Sequence, residues 1–137
     1  MAGIRGRTGW WGVALDSRDP EGLGRFYAAL LGWEARVHDP TWVTLVPEGE
    51  GRTYLACALD EHHEPPTWPS EPGRPLMQSH LDVEVDDLDV AVADAVALGA
   101  RLAVFQPQET VRVLLDPAGH PFCLYLAADP SADPSAD

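Results

Sequence analysis

The chain of 137 residues contains no lysine. Its nine basic side chains are all arginine, against 22 acidic ones, for a formal net charge of −13. That balance excludes the basic surface needed to displace phosphate counterions, so nucleic acid is not an expected partner. It equally excludes attraction to anionic membranes. The acidity suits a cationic ligand, and it also suits plain solubility. Only two cysteines are present, Cys57 and Cys123, too few for a disulfide framework. Each sits in an apolar run, as a buried free thiol does. No apolar run approaches the roughly 18–20 residues that span a bilayer. The opening MAGIRGRTGWWG lacks the apolar core of a secretory signal, so a cytoplasmic location is expected. A serine nucleophile elbow, a phosphate loop and a dinucleotide fingerprint are also missing.

What remains is ordinary in bulk. Apolar residues make up 45%, enough for one domain or two half-domains sharing a core. Five tryptophans are many for this length. A stretch from Glu61 to Met77 carries Pro65, Pro66, Pro69, Pro72 and Pro75, so no helix or central strand can run through it. It reads as an extended linker, residues 61–77. The final ADPSADPSAD has no large apolar side chain and reads as a disordered tail, residues 128–137. Residues 1–8 read as a flexible N-terminus.

The two segments flanking the linker, 9–60 and 78–127, repeat one pattern. Val13 and Leu15 alternate with polar or small residues, as do Leu81, Val83 and Val85 after His80, giving a half-buried strand in each. Each strand runs into a helix. Asp19 can cap the first ahead of Pro20, and Asp86 the second ahead of Asp87 and Asp89. Leu23, Phe26, Tyr27, Leu30 and Leu31 recur at helical spacing, as do Leu88, Ala91, Val92, Ala95 and Val96. Both helices end on Leu-Gly, at Gly32 and Gly99, which are 67 positions apart. Strand candidates then follow at Ala35–His38, Thr41–Val46 and Tyr54–Leu59, and again at Leu102–Phe105, Val111–Asp116 and Pro121–Ala127. The order βαβββ therefore occurs twice, an internal duplication.

Asp19-Pro20-Glu21, Phe26-Tyr27, Leu30-Leu31-Gly32-Trp33, His80-Leu81-Asp82-Val83, Leu98-Gly99-Ala100 and Asp116-Pro117-Ala118-Gly119-His120-Pro121-Phe122 carry a resemblance. The chain resembles the vicinal oxygen chelate superfamily (glyoxalase, bleomycin resistance, dioxygenase), most closely its small bacterial glyoxalase-like branch. The resemblance implies an α+β fold. Two βαβββ modules would form curved mixed sheets around a cleft, with helices on the outer face. It also implies a homodimer.

On that frame the alternation divides the strands. Val13, Leu15, Leu81, Val83, Val43, Leu45, Leu55, Leu59, Val111, Val113, Phe122 and Leu124 are expected to face the helices. The cleft would receive Gly12, Ala14, Asp16, Trp42, Thr44, Tyr54, Ala56, Ala58, His80, Asp82, Glu84, Arg112, Leu114, Cys123 and Tyr125.

Metal-dependent members hold a divalent ion with four ligands, one from the first and last strand of each module. The matching positions here are about Gly12, Ala58, His80 and Cys123. Glycine and alanine cannot ligate, so no cofactor is expected. A metal at His80 and Cys123 would need further ligands, such as Asp82 or Glu84. Without the metal, the resemblance points to members that bind small molecules, often planar cations held between aromatic rings. The expected ligand-binding residues are His80, Asp82, Glu84, Trp42, Tyr54, Tyr125 and Cys123. Alternatively the chain is a glyoxalase-like lyase or isomerase, or another small-molecule enzyme, with His80 as base beside Asp82 or Glu84. His80 can also be a hydrogen-bonded strand histidine and nothing more.

Overall fold

The computed structural model describes residues 3–49 and 51–127. The expected tail, 128–137, lies outside the described residues, as do residues 1 and 2 of the expected N-terminal segment. The chain divides into two compact units, residues 1–63 and 64–137.

The first unit contains β1 (Trp11–Ser17), α1 (Pro20–Leu31), β2 (Glu34–Asp39), β3 (Trp42–Val46) and β4 (Thr53–Leu59). Its sheet has the order β1-β4-β3-β2. The β1–β4 pair is parallel and the other two are antiparallel. A parallel pair needs a long crossover, and the connection through α1 opens it. The helix starts where the Asp19 carboxylate accepts the Gly22 N–H at 3.0 Å. Pro20 follows, where a missing N–H costs nothing. It stops at Gly32, whose φ of 69° is the left-handed conformation that glycine adopts without strain. Leu23, Phe26 and Tyr27 are buried, as are Val43, Leu45, Leu55 and Cys57. Strand register puts those four on one face of the sheet, and α1 packs on it. Burying each large side chain stabilises the unit by about 1.5–3 kcal/mol. Val13 shares this face but stays 40% exposed, because β1 is an edge strand.

The second unit repeats the order with β5 (Leu81–Glu84), α2 (Leu88–Leu98), β6 (Arg101–Leu102), β7 (Val111–Leu115) and β8 (Pro121–Tyr125). Its sheet runs β5-β8-β7-β6, again with the first and last strands parallel. The fold is thus α+β, two βαβββ modules with mixed sheets, as the duplication implied. No helix among the described residues is long and apolar enough to cross a membrane.

Three local expectations change in this unit. The α2 cap is Asp87, one residue later than expected. Its backbone is extended and its carboxylate accepts the Val90 N–H at 3.1 Å, while Asp86 precedes the turn. The strand expected over Leu102–Phe105 shrinks to Arg101–Leu102. Beyond it the Ala103 N–H still reaches Val113 O, and then the Gln106 side chain takes over. Its amide accepts the Val113 N–H and donates to Val113 O and Ala103 O, each at 2.8 Å, standing in for a strand backbone.

The third change is the face assignment of β7. Val111 pairs with Tyr125 and Val113 with Cys123, so both valines share the face expected to line the cleft. Arg112 and Leu114 pair with Leu124 and Phe122 and share the helix-side face. Leu114 is accordingly fully buried beside Phe122 and Leu124. Arg112 lies at the sheet's end, where its guanidinium donates to the carbonyls of Gln108, Glu109 and Val111. The run V-R-V-L-L alternates in its first three residues only, and pairing with β8 decides between the faces.

From Glu64 onward the proline-rich segment belongs to the second unit. The Trp68 ring lies 5.9 Å from that of Phe105, and its indole N–H donates to Phe105 O at 3.0 Å. Between β7 and β8 the Asp116 carboxylate is buried. It accepts the N–H groups of Ala118 and His120, and His120 Nδ1 lies 2.8 Å from it. His120 therefore serves the turn.

Candidate functional site

The second sheet brings together four of the seven expected site residues. Strand side chains alternate, so His80 and Asp82, two apart, point the same way. Register pairs Asp82 with Cys123 across β5 and β8, and Glu84 with Tyr125. His80 Nε2 lies 3.0 Å from Asp82 Oδ1. The thiol of Cys123 hydrogen-bonds to the same carboxylate. His80, Asp82, Cys123 and Tyr125 line an open hollow of about 430 Å³ with Gln108 and Val111. Val111 and Gln108 were not expected there. Val111 was assigned to the opposite face, and Gln108 lies in a loop with no periodicity to read.

The electrostatics of this hollow are set by Asp82, which is 56% exposed at its side chain. Burial pushes the Cys123 thiol up to about 11 from its ordinary 9.0, and the negative charge and hydrogen bond of Asp82 push the same way. The thiol therefore stays protonated at neutral pH and acts as a weak donor to the carboxylate. This is the opposite of a catalytic cysteine–histidine pair, in which a cation lowers the thiol. A histidine whose Nε2 donates to a carboxylate keeps Nδ1 as an acceptor. The hollow therefore offers one anionic centre, an orientable imidazole, a phenol and an amide against an apolar wall.

The other three expected residues are described each within its own unit. Glu84 lines a separate open hollow of about 520 Å³ at the start of α2, with Asp86, Asp87 and Asp94. Trp42 and Tyr54 belong to the first unit, on the sheet face opposite α1. Trp42 pairs with Ala58, and Tyr54 stands four residues away along β4. That is about 13 Å at the usual strand rise, too far for the two rings to sandwich one ligand ring. The Tyr54 ring instead lies over Gly12, its partner in register. A Cβ at Gly12 would come within 2.5–2.6 Å of three ring carbons, so only glycine fits beneath it. Near Trp42, His38 Nε2 meets Thr44 Oγ1 at 2.9 Å. A bulge in β2 between Val37 and Asp39 accompanies this contact, and sequence alternation does not reveal it.

A model of the glyoxalase-like domain matches residues 12–125. The chain belongs to the glyoxalase-like domain family. Solved structures agree on the fold. A glyoxalase/bleomycin resistance protein/dioxygenase family enzyme from Burkholderia phytofirmans PsJN matches with a TM-score of 0.62 at 22% identity, over 87% of this chain and 98% of its own. A fosfomycin resistance protein from Mesorhizobium loti matches with a TM-score of 0.59 at 17% identity, over 90% and 93%. An antibiotic binding protein from Streptomyces sp. CB03234 matches with a TM-score of 0.57 at 20% identity, over 91% and 100%. No curated protein matches the sequence.

The donor set of this glyoxalase-like domain does not fit the superfamily's four-ligand metal. At the first-module positions Gly12 lies beneath the Tyr54 ring, which fills the space a ligating side chain would need. Ala58 offers a methyl group. The second-module positions, His80 and Cys123, do carry donor atoms. They lie with Asp82 in the one His/Cys/Asp/Glu group of ligating spacing among the described residues.

Proposed function

We propose that this glyoxalase-like domain binds a small organic cation in the hollow of its second sheet, without the superfamily's metal. One observation carries the reading. A half-exposed carboxylate, Asp82, is held from two sides by His80 and Cys123 inside a 430 Å³ hollow. Neither group neutralises it when the imidazole is uncharged, so the hollow keeps one negative charge beside apolar surface. Tyr125 supplies a ring face for stacking or cation–π attraction, and Gln108 a polar contact. The charge of −13 raises the local concentration of cations.

The test is a ligand screen read by tryptophan fluorescence in chelator-treated buffer. Cations should dominate the hits, and their affinity should fall as salt rises. Asp82→Asn should weaken them by more than about tenfold, equivalent to 1.4 kcal/mol. Neutral or anionic hits that ignore this substitution would refute the reading.

The 3.0 Å His80–Asp82 contact favours one alternative, an enzyme of lyase or isomerase type with His80 as base. Turnover of a hit compound that is lost in His80→Ala, with binding retained, would establish it. We also propose a cytoplasmic homodimer. Trp10 and Trp11 are both more than half exposed and offer apolar contact area. A mass near that of one chain by light scattering at micromolar concentration would refute the dimer.

A further inference from the structure

We propose that the hollow of the second sheet takes cations that carry N–H groups, protonated amines above all, and discriminates against quaternary ammonium ions. This rests on the organic-cation reading above and narrows it to one chemistry. A carboxylate offers about four lone-pair positions. His80 Nε2, 3.0 Å from Oδ1 of Asp82, takes one, and the Cys123 thiol takes another. About two stay open, and the Asp82 side chain is 56% exposed, so a ligand can reach them. The same two contacts hold the carboxylate in one orientation before the ligand arrives, which lowers the ordering cost of binding.

A quaternary ammonium ion cannot use those lone pairs, because it has no N–H to donate. Its recognition depends on several aromatic faces closing around it. Of the residues that line this hollow, only Tyr125 and His80 carry rings, and the imidazole is engaged with Asp82. One ring face does not make a cage. Distance adds to the difference. An N–H donor brings its nitrogen to about 2.7–2.9 Å from a carboxylate oxygen. A methyl carbon stops at about 3.3–3.6 Å and keeps the charged nitrogen farther still. The attraction weakens with that separation, and it is already reduced by water because the hollow is open. Directed hydrogen bonds to Asp82 are therefore what separates one cation from another. Val111 and Leu126 supply apolar surface for the hydrocarbon part of the ligand, beside the Tyr125 ring. An amine carried on a small aromatic group matches all of these features.

The test titrates the full chain at neutral pH with benzylamine and its N-methyl, N,N-dimethyl and N,N,N-trimethyl derivatives, read by calorimetry. All four carry the same ring and one positive charge, and they differ in the number of N–H groups. Affinity should fall along the series, by more than about tenfold from first to last. Benzyl alcohol, which keeps the ring and lacks the charge, should bind more weakly than benzylamine. Asp82→Asn should bring benzylamine and the quaternary ion to within about threefold of each other. Circular dichroism checks that this variant folds. If it does not, wild-type protein decides, because saturating benzylamine should slow the modification of Cys123 by methyl methanethiosulfonate. A quaternary ion that binds as tightly as benzylamine, with both weakened by Asp82→Asn, would overturn the discrimination and leave the organic-cation reading standing. Benzyl alcohol or benzoate binding as tightly as benzylamine would remove that reading and this proposal with it. An N–H preference that survives Asp82→Asn, or benzylamine that leaves Cys123 unprotected, would place the site elsewhere and overturn the proposal. Absence of benzylamine binding would overturn it as well.

Discussion

Asp82 should control the reactivity of Cys123, and the size of the effect follows from the hollow. The thiol is raised to about 11 from an ordinary 9.0, first by burial and then by the charge and hydrogen bond of Asp82. A thiol raised from 9.0 to about 11 leaves about a hundredfold less thiolate at pH 8 than a free cysteine. A more basic thiolate is a better nucleophile, and a Brønsted coefficient of about 0.4–0.5 returns roughly six- to tenfold. Net alkylation of Cys123 by a small neutral reagent should therefore run about 10- to 16-fold slower than that of free cysteine. Asp82→Asn removes the charge and keeps the burial. If about half the shift goes with the charge, the rate should rise roughly threefold. Iodoacetamide labelling at several pH values, resolved by peptide mass spectrometry, measures both rates. Cys57 is fully buried and should stay unlabelled until the chain unfolds, which marks native protein in every sample. A wild-type rate equal to that of free cysteine, or an inflection near pH 9, would refute the electrostatic account. So would a rate unchanged or lowered in Asp82→Asn.

The same thiol makes folding stability fall as pH rises from 9 toward 11, because the unfolded chain loses its proton first and the folded thiol follows near 11. Urea denaturation midpoints across that range should decline, and less so in Cys123→Ser. Gly12→Ala should destabilise by about 1–3 kcal/mol, since the new methyl meets the Tyr54 ring. Denaturant unfolding measures this cost, and it should shrink when Tyr54→Ala is added. Leu114→Ala should cost about 2–5 kcal/mol, whereas Arg112→Ala, which removes hydrogen bonds to carbonyls at the half-buried end of the strand, should cost about 1 kcal/mol. Equal costs would contradict the full burial of Leu114 against the partial exposure of Arg112. Asp116→Ala should cost about 2–3 kcal/mol by removing the hydrogen bonds its buried carboxylate accepts from the N–H groups of Ala118 and His120, read as a lower thermal midpoint.

Much of the fold was legible in the residues themselves, because local chemistry repeats at a fixed interval. Asp19 before Pro20, the left-handed Gly32, and the spacing of Leu23, Phe26 and Tyr27 each specify α1 without distant help. The 67-residue recurrence then implied that whatever packs once packs twice. His80 and Asp82 could be placed on one face by strand alternation alone. The grouping of His80 with Cys123 came from the ligand positions that the resemblance implies, and only register makes Asp82 the partner of Cys123. Where the pattern was ambiguous, only pairing decided. Val111 and Val113 look like helix-side residues, yet pairing with β8 puts them on the other face, where Val111 lines the hollow and Val113 is still buried, and sends Leu114 to the helix side. Gly12 gives no hint in the sequence that Tyr54 covers it, and Gln106 none that its amide completes a strand. Gln108 enters the hollow from a loop. Asp86 and Asp87 are chemically the same, and the turn geometry alone assigns the cap to Asp87. Local propensity acts over a few residues, and alternation reports one strand at a time. Register, ring placement and loop docking depend on contacts between segments far apart in the chain, and those exist only once the tertiary structure has formed.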